Sequence, residues 1–169
     1  MYVHAHDLYL LSSDHRSEPI EVLGLYKAIF RPLTPGEWIE VWDNAATHLH
    51  PNAQRLKTMV GVLARGISKI DGQALTLDAK DLSAARDKLK LGPKDDLGPV
   101  QQAELILLDR FTQHVIEAFD QEYGSWYVGY TEALIEAAKK KRARAETGGR
   151  PSPSVSDSES SPPTLPSES

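Results

Sequence analysis

The chain has 169 residues, a formal net charge of −5, 40% hydrophobic and 7% aromatic residues, and no cysteine. That length supports one modest domain with or without a tail, and the missing thiols exclude a disulfide framework, a cysteine nucleophile, a cysteine-bound zinc and an iron–sulfur cluster. The acidic balance argues against broad nucleic-acid binding, because neutralising phosphates needs a surplus of Lys and Arg.

No apolar run approaches the roughly 18 to 20 residues of a membrane-spanning helix, and Met1-Tyr2-Val3-His4-Ala5-His6-Asp7 lacks the basic-then-apolar order of a signal peptide. A soluble, intracellular protein is expected. Ile20 to Gly24 and Leu25 to Arg31 are short, β-branched or aromatic, and bounded by Pro19 and Pro32, so residues 20–31 predict one or two strands that must pack on helices to be stable.

From there the chain reads as helix. In Leu33-Thr34-Pro35-Gly36-Glu37-Trp38, Thr34 suits the N-cap, Pro35 presets φ at the first helical position and Glu37 completes a capping box. Trp38, Val41, Trp42, Ala45, Ala46 and Leu49 then repeat at helical spacing and predict an inward stripe that ends at Pro51. A second helix is predicted from Leu56, Met59, Val60, Leu63, Ile67 and Ile70, stopping at Asp71-Gly72, and the two should form an αα-hairpin. A shorter helix over about Asp81 to Leu91, with Leu82, Ala85 and Leu89 inward, ends at Gly92-Pro93 and reads as a satellite of the core. Beyond Pro99, Val100, Leu107, Leu108, Phe111, Val115, Ala118 and Phe119 predict one helix. A further one carries Trp126, Tyr127, Tyr130, Leu134 and Ile135, with a bend or break at Gly124 and Gly129.

Lys139-Lys140-Lys141-Arg142-Ala143-Arg144 fits a solvated helix C-terminus, where cations meet the negative end of the dipole. After it, the Ser- and Pro-rich stretch from Gly148 to Ser169 offers only Val155 and Leu165 for burial and is expected to be disordered. The expected organisation is a mainly α domain over residues 1–146 with a short N-terminal β element, and a tail over 147–169.

Chemistry is sparse. The chain has no glycine-rich phosphate loop, dinucleotide fingerprint, nucleophile elbow or His-Glu-x-x-His helix, so neither a catalytic residue nor a cofactor is expected. His4-x-His6-Asp7 and His48-x-His50 have metal-ligand character, but hydrolase barrels built on such pairs need about 250 residues and further ligands. The expectation is no metal, with His48 and His50 at the C-terminal turn of the first helix. The more informative group is Tyr123, Trp126, Tyr127 and Tyr130, whose i, i+3, i+4, i+7 spacing builds one broad helical face. Two readings stand: core packing on Trp38 and Trp42, or a protein-binding face anchored by Tyr127 and Tyr130.

Three segments carry a resemblance: Phe30-Arg31-Pro32-Leu33-Thr34-Pro35-Gly36-Glu37, then Leu63-Ala64-Arg65-Gly66-Ile67-Ser68-Lys69-Ile70-Asp71-Gly72, then Val115 to Tyr123. Together they resemble small tail proteins of tailed bacteriophages, the tail assembly chaperones and related baseplate or hub assembly proteins, over roughly residues 25–130. The motifs are built from capping and core residues, so they bear on fold more than on activity. The resemblance implies a non-enzymatic, mostly helical morphogenesis protein made in the host cell cytoplasm. It would bind the tape measure or other tail proteins as a chaperone, or stay in the virion tail as a baseplate component. A small nucleic-acid-associated adaptor using the basic cluster and a metal-dependent hydrolase using the His pairs are the remaining classes. A membrane partner is not expected.

Overall fold

The computed structural model describes residues 15–47, 50–92 and 95–147. The protein is mainly α, with a three-stranded antiparallel sheet at its N-terminal side. In chain order the elements are β1 (Ile20–Val22), β2 (Tyr26–Phe30), α1 (Pro35–Ala46), α2 (Pro51–Gly66), β3 (Ile67–Ile70), α3 (Ala79–Lys88), α4 (Pro99–Arg110) and α5 (Gln113–Thr147). His4, His6, Asp7, His48, Leu49 and the Ser- and Pro-rich segment 148–169 lie outside the described residues.

The two predicted strands are present and form a hairpin. Leu23 and Gly24 both take left-handed φ, 55° and 66°, as a tight turn matched to strand twist demands. β2 is the central strand, flanked by β1 and β3. Val22, Ala28, Phe30, Ile67 and Ile70 face the helices and are buried, while Glu21, Lys27 and Lys69 face solvent.

β3 corrects the expectation that the second helix runs to Ile70. α2 stops at Gly66, and the register places Phe30 opposite Ile67 and Ile29 opposite Lys69, leaving Ser68 as a bulge. The extra residue lets Ile67 and Ile70 share one face, which a regular strand forbids at i, i+3. A bulged strand therefore imitates helical spacing. Asp71 and Gly72, with φ of 50° and 80°, turn the chain out of the strand rather than out of the helix, and Lys27 N–H donates to the Asp71 carboxylate at 2.8 Å.

α2 is the central helix. Every residue from Met59 to Gly66 is buried, because α1, α4 and α5 all pack on it. α1 starts as predicted: Glu37 N–H donates to Thr34 Oγ1 at 3.2 Å, and Thr34 N–H donates to Glu37 Oε2 at 2.8 Å. Its inward stripe is narrower than expected. Val41 and Ala45 are buried against α2, where a Cβ on Gly61 would stand 3.3 Å from both Val41 methyls, whereas Trp42 is 65% exposed and Ala46 is also outside. α3 has no buried residue and is tied to α4 by the exposed pairs Arg110–Asp81 and Lys88–Asp109. It is a satellite as expected, but it spans Ala79–Lys88 rather than reaching Leu91, and Leu89, expected inward, is its C-cap and 46% exposed.

The break in the C-terminal helices is also displaced. It falls at Phe111, whose backbone is extended, and the Thr112 carbonyl accepts from Val115 and Ile116 N–H to start α5. Phe111 packs edge-on against Tyr26 and Phe119, so tertiary contact redirects the chain there. α5 then runs unbroken past Gly124 and Gly129. Both glycines are exposed with open space around them, so nothing wedges the helix apart. The helix reaches Thr147, one residue past the expected domain limit.

Glycine at 66 is a steric requirement, because a Cβ there would stand 2.6 Å from the buried Tyr123 ring and 3.2 Å from Leu33. Gly66→Ala should lower stability by about 1 to 3 kcal/mol through overpacking. Gly129→Ala, in open space inside a helix, should raise it by about 0.5 to 1 kcal/mol. Chemical denaturation of the two variants reads both signs.

Glu37 adds a pH dependence. Burial alone would raise its pKa, but hydrogen bonds from Arg31 and Thr34 and the Arg31 charge outweigh it and hold the carboxyl below its ordinary 4.5. A depressed acid stabilises the fold above its unfolded pKa, and that stabilisation disappears as pH falls through the folded value. Between about pH 6 and about pH 3, Glu37→Gln should therefore lose less stability than the parent chain in urea titrations.

Candidate protein-binding face

The predicted aromatic residues are brought together, and they face inward. Tyr123 is buried and forms part of the core, Tyr130 is buried at 9% exposure, and Trp126 and Tyr127 are half-buried and packed against the core. Their rings form a ladder along α5. Tyr130 stacks on Trp126 at 5.4 Å, Trp126 lies 5.7 Å from Tyr123, and Tyr123 stacks on Tyr127 at 5.9 Å. Phe30 of β2 meets Tyr123 edge-on at 5.4 Å and Trp126 at 5.8 Å, so the sheet seats the ladder. Each such contact adds about 0.5 to 1.5 kcal/mol beyond area burial.

Tyr123 also uses its hydroxyl. It donates to the Arg31 carbonyl at 3.2 Å, and burial pushes its pKa well above the ordinary tyrosine value. Donation from a neutral phenol fits that site. Tyr127 extends the ladder to Trp38 of α1, ring against ring at 6.2 Å. Trp38 is the expected partner; Trp42, the other expected partner, points away from the core.

Trp38 forms a wall shared by two depressions. On one side it borders a groove of about 420 Å³ floored by Met59, Val62 and Tyr127, with Arg55 and Asp120 at the rim. Burial pushes the Asp120 carboxyl up, and the charge of Arg55 pulls it partly back. On the other side a shallower depression of about 390 Å³ is lined by Trp38, Ile39, Trp42 and Asp43. Ile39 is 63% exposed and Trp42 65%, and Ala46 continues the same row at i, i+3, i+7. Glu40 and Asp43 form an acidic row beside it, and α1 has no basic residue in its last turn.

Helical spacing alone does not single out Ile39, and it places Trp42 on the buried stripe, from which the structure removes it. A signal existed. Trp38, Ile39, Val41, Trp42, Ala45 and Ala46 span more of the helical circumference than one buried stripe occupies, so the surplus has to lie on a second face.

The histidine expectations fare differently. His50 is described and serves as N-cap of α2, its Nδ1 accepting from Asn52 N–H at 3.3 Å. It does not close the first helix, because α1 already ends at Ala46 with Thr47 as its C-cap. His114 lies in the first turn of α5. Among the described residues no group of three or more His, Cys, Asp or Glu side chains could hold a metal ion, and no helix is long and apolar enough to cross a membrane. Compared with protein-family models, with curated proteins and with solved structures, the chain finds no match.

The geometry separates two aromatic roles that helical spacing alone conflates. Tyr130→Ala should cost about 2 to 4 kcal/mol, as removal of a buried aromatic ring does. Trp42→Ala should change stability by no more than about 0.5 kcal/mol, because the ring lies outside. Thermal and urea unfolding of the two variants tests the assignment, and equal losses would contradict it.

Proposed function

We propose that this chain is a non-enzymatic tail-morphogenesis protein of tailed bacteriophages, similar to the tail assembly chaperones, that binds the tape measure or another tail protein. The observation that carries the binding part is the outward row Ile39, Trp42 and Ala46 on a helix whose opposite side is already in the core. An exposed tryptophan beside an exposed isoleucine has no role in holding the fold. Tryptophan is also among the residue types that dominate interface energetics.

The depressions on either side of Trp38 give such a partner somewhere to sit. An amphipathic helix could lay its apolar side chains across Ile39 and Trp42, with Tyr127 in the adjoining groove, in the manner of helix-in-groove recognition. Asp43 favours Lys or Arg along the flank of that partner helix, whereas the neighbouring Glu40 is bonded to Arg65 of α2 at 3.2 Å. Tyr127 keeps a place in this reading as part of the groove floor, whereas Tyr130 belongs to the buried ladder.

The phage assignment rests on the resemblance of the three segments quoted above, which supply the α1 cap, the α2 to β3 corner and the core face of α5. Co-expression with the tape-measure protein of the same genome, followed by pull-down, tests the proposal. The double variant Ile39→Ala with Trp42→Ala should lower the affinity of capture by at least about tenfold, as loss of a hot spot of about 2 kcal/mol does, while the melting temperature stays put. Undiminished capture would remove the α1 face from the reading. Failure of the parent chain to capture any tail protein would remove the assignment itself.

A further inference from the structure

The groove beside Trp38 holds a carboxylate that the fold does not use. Asp120, Tyr123 and Tyr127 fall at i, i+3 and i+7, so one side of α5 presents the carboxylate and both rings to the same cavity. Among the described residues Asp120 accepts no hydrogen bond and enters no ion pair. Burial pushes its carboxyl up, and the Arg55 charge is what opposes that shift. A half-buried anion is thus left short of a partner. Arg55 at the rim is exposed and is likewise bonded to none of the described residues.

The walls around Asp120 are aromatic. Trp38 and Tyr127 meet at 65° with ring centroids 6.2 Å apart, and Tyr123 backs Tyr127 in a stack at 18°. Met59 and Val62 complete the floor without adding charge. This combination discriminates between occupants. An apolar side chain would bury Asp120 further and leave it unpaired, and an anion would be repelled by it. A cation meets both needs, because ring faces carry negative potential and the carboxylate supplies the counter-charge. A guanidinium fits better than an ammonium: it is planar and weakly hydrated, stacks on rings and forks two N–H groups onto one carboxylate. A groove of about 420 Å³ has room for such a side chain.

We infer that this groove is an arginine-binding site, in which a guanidinium carried by the partner stacks on Trp38 and Tyr127 and donates to the Asp120 carboxylate. That the bearer is a tail protein rests on the function proposed above, whereas the site itself does not. Trp38 then joins the two depressions: apolar side chains of the partner helix lie on Ile39 and Trp42, and an arginine at the edge of its apolar stripe crosses Trp38 to Asp120.

The probe for the test is Nα-acetyl-arginine amide, titrated into the full chain carrying ¹³C-methyl methionine. Met59 lines the groove, and Met59→Leu assigns its signal. That signal should shift and saturate with the probe. Asp120→Asn, which keeps the shape of the side chain and removes its charge, should weaken binding by about tenfold or more, and Tyr127→Leu by about threefold or more, with the circular dichroism of both unchanged. Nα-acetyl-lysine amide should bind at least about threefold more weakly than the arginine probe. No saturable shift, undiminished binding to either variant, or equal binding of the lysine probe overturns the inference. The proposed function fails separately: a chain that takes the arginine probe and captures no tail protein keeps the site and loses the phage reading.

Discussion

The close approach of Tyr123 to Gly66 is the constraint on which the rest of the fold depends. The last residue of α2 has no side chain, so the Tyr123 ring of α5 can lie directly against its backbone, and the same ring sends its hydroxyl to the Arg31 carbonyl. Arg31 N–H in turn donates to the Gly66 carbonyl at 2.7 Å. The guanidinium of Arg31 grips Glu37 through both nitrogens, and Glu37 caps α1. One junction thus sets where α2 turns into β3, how β2 leaves the sheet, where α1 begins and how α5 crosses them all.

That junction is built from short and chemically plain sequence segments. Arg31 and Glu37 come from the first of the three segments, Gly66 from the second and Tyr123 from the third. Each of these residues makes a contact that holds the fold. Arg31 satisfies a cap, Gly66 makes room, and Tyr123 fills that room and satisfies a carbonyl. Residues of this kind fix an architecture and leave surfaces away from the junction free to vary. The exposed row on α1 is a surface of that kind. It is held rigid by Val41 on Gly61 beneath it and by the cap at its start, so Ile39 and Trp42 are presented on a fixed element.

Local chemistry was legible in the sequence wherever one short-range rule decided the outcome. Thr34, Pro35 and Glu37 announce the start of α1 because capping involves only neighbours in the chain, and Pro19 and Pro32 bracket the hairpin for the same reason. Periodicity failed wherever tertiary contact competed with it. Ile67 and Ile70 imitate a helix because a bulge at Ser68 turns both to one side, and the bulge exists only against β2. Gly124 and Gly129 look like breaks but cost α5 only propensity, whereas the actual break at Phe111 arises from rings distant in sequence. The aromatic group was recognised correctly as one face, but which way that face points depends on Phe30 and His15, more than 90 residues away in the chain. Trp42 was misassigned for the complementary reason: α1 meets α2 along a stripe only as wide as Val41 and Ala45.

The central claim, that Gly66 and Tyr123 are coupled by direct contact, is tested most directly by a double-mutant cycle. Gly66→Ala, Tyr123→Leu and the combination are compared with the parent chain in denaturant unfolding. If the added methyl group meets the ring, shortening Tyr123 relieves much of the penalty, and the two single losses should exceed the double loss by about 1 to 3 kcal/mol. Losses that add to within about 0.5 kcal/mol would show that the two residues act independently, and would contradict the account of the junction.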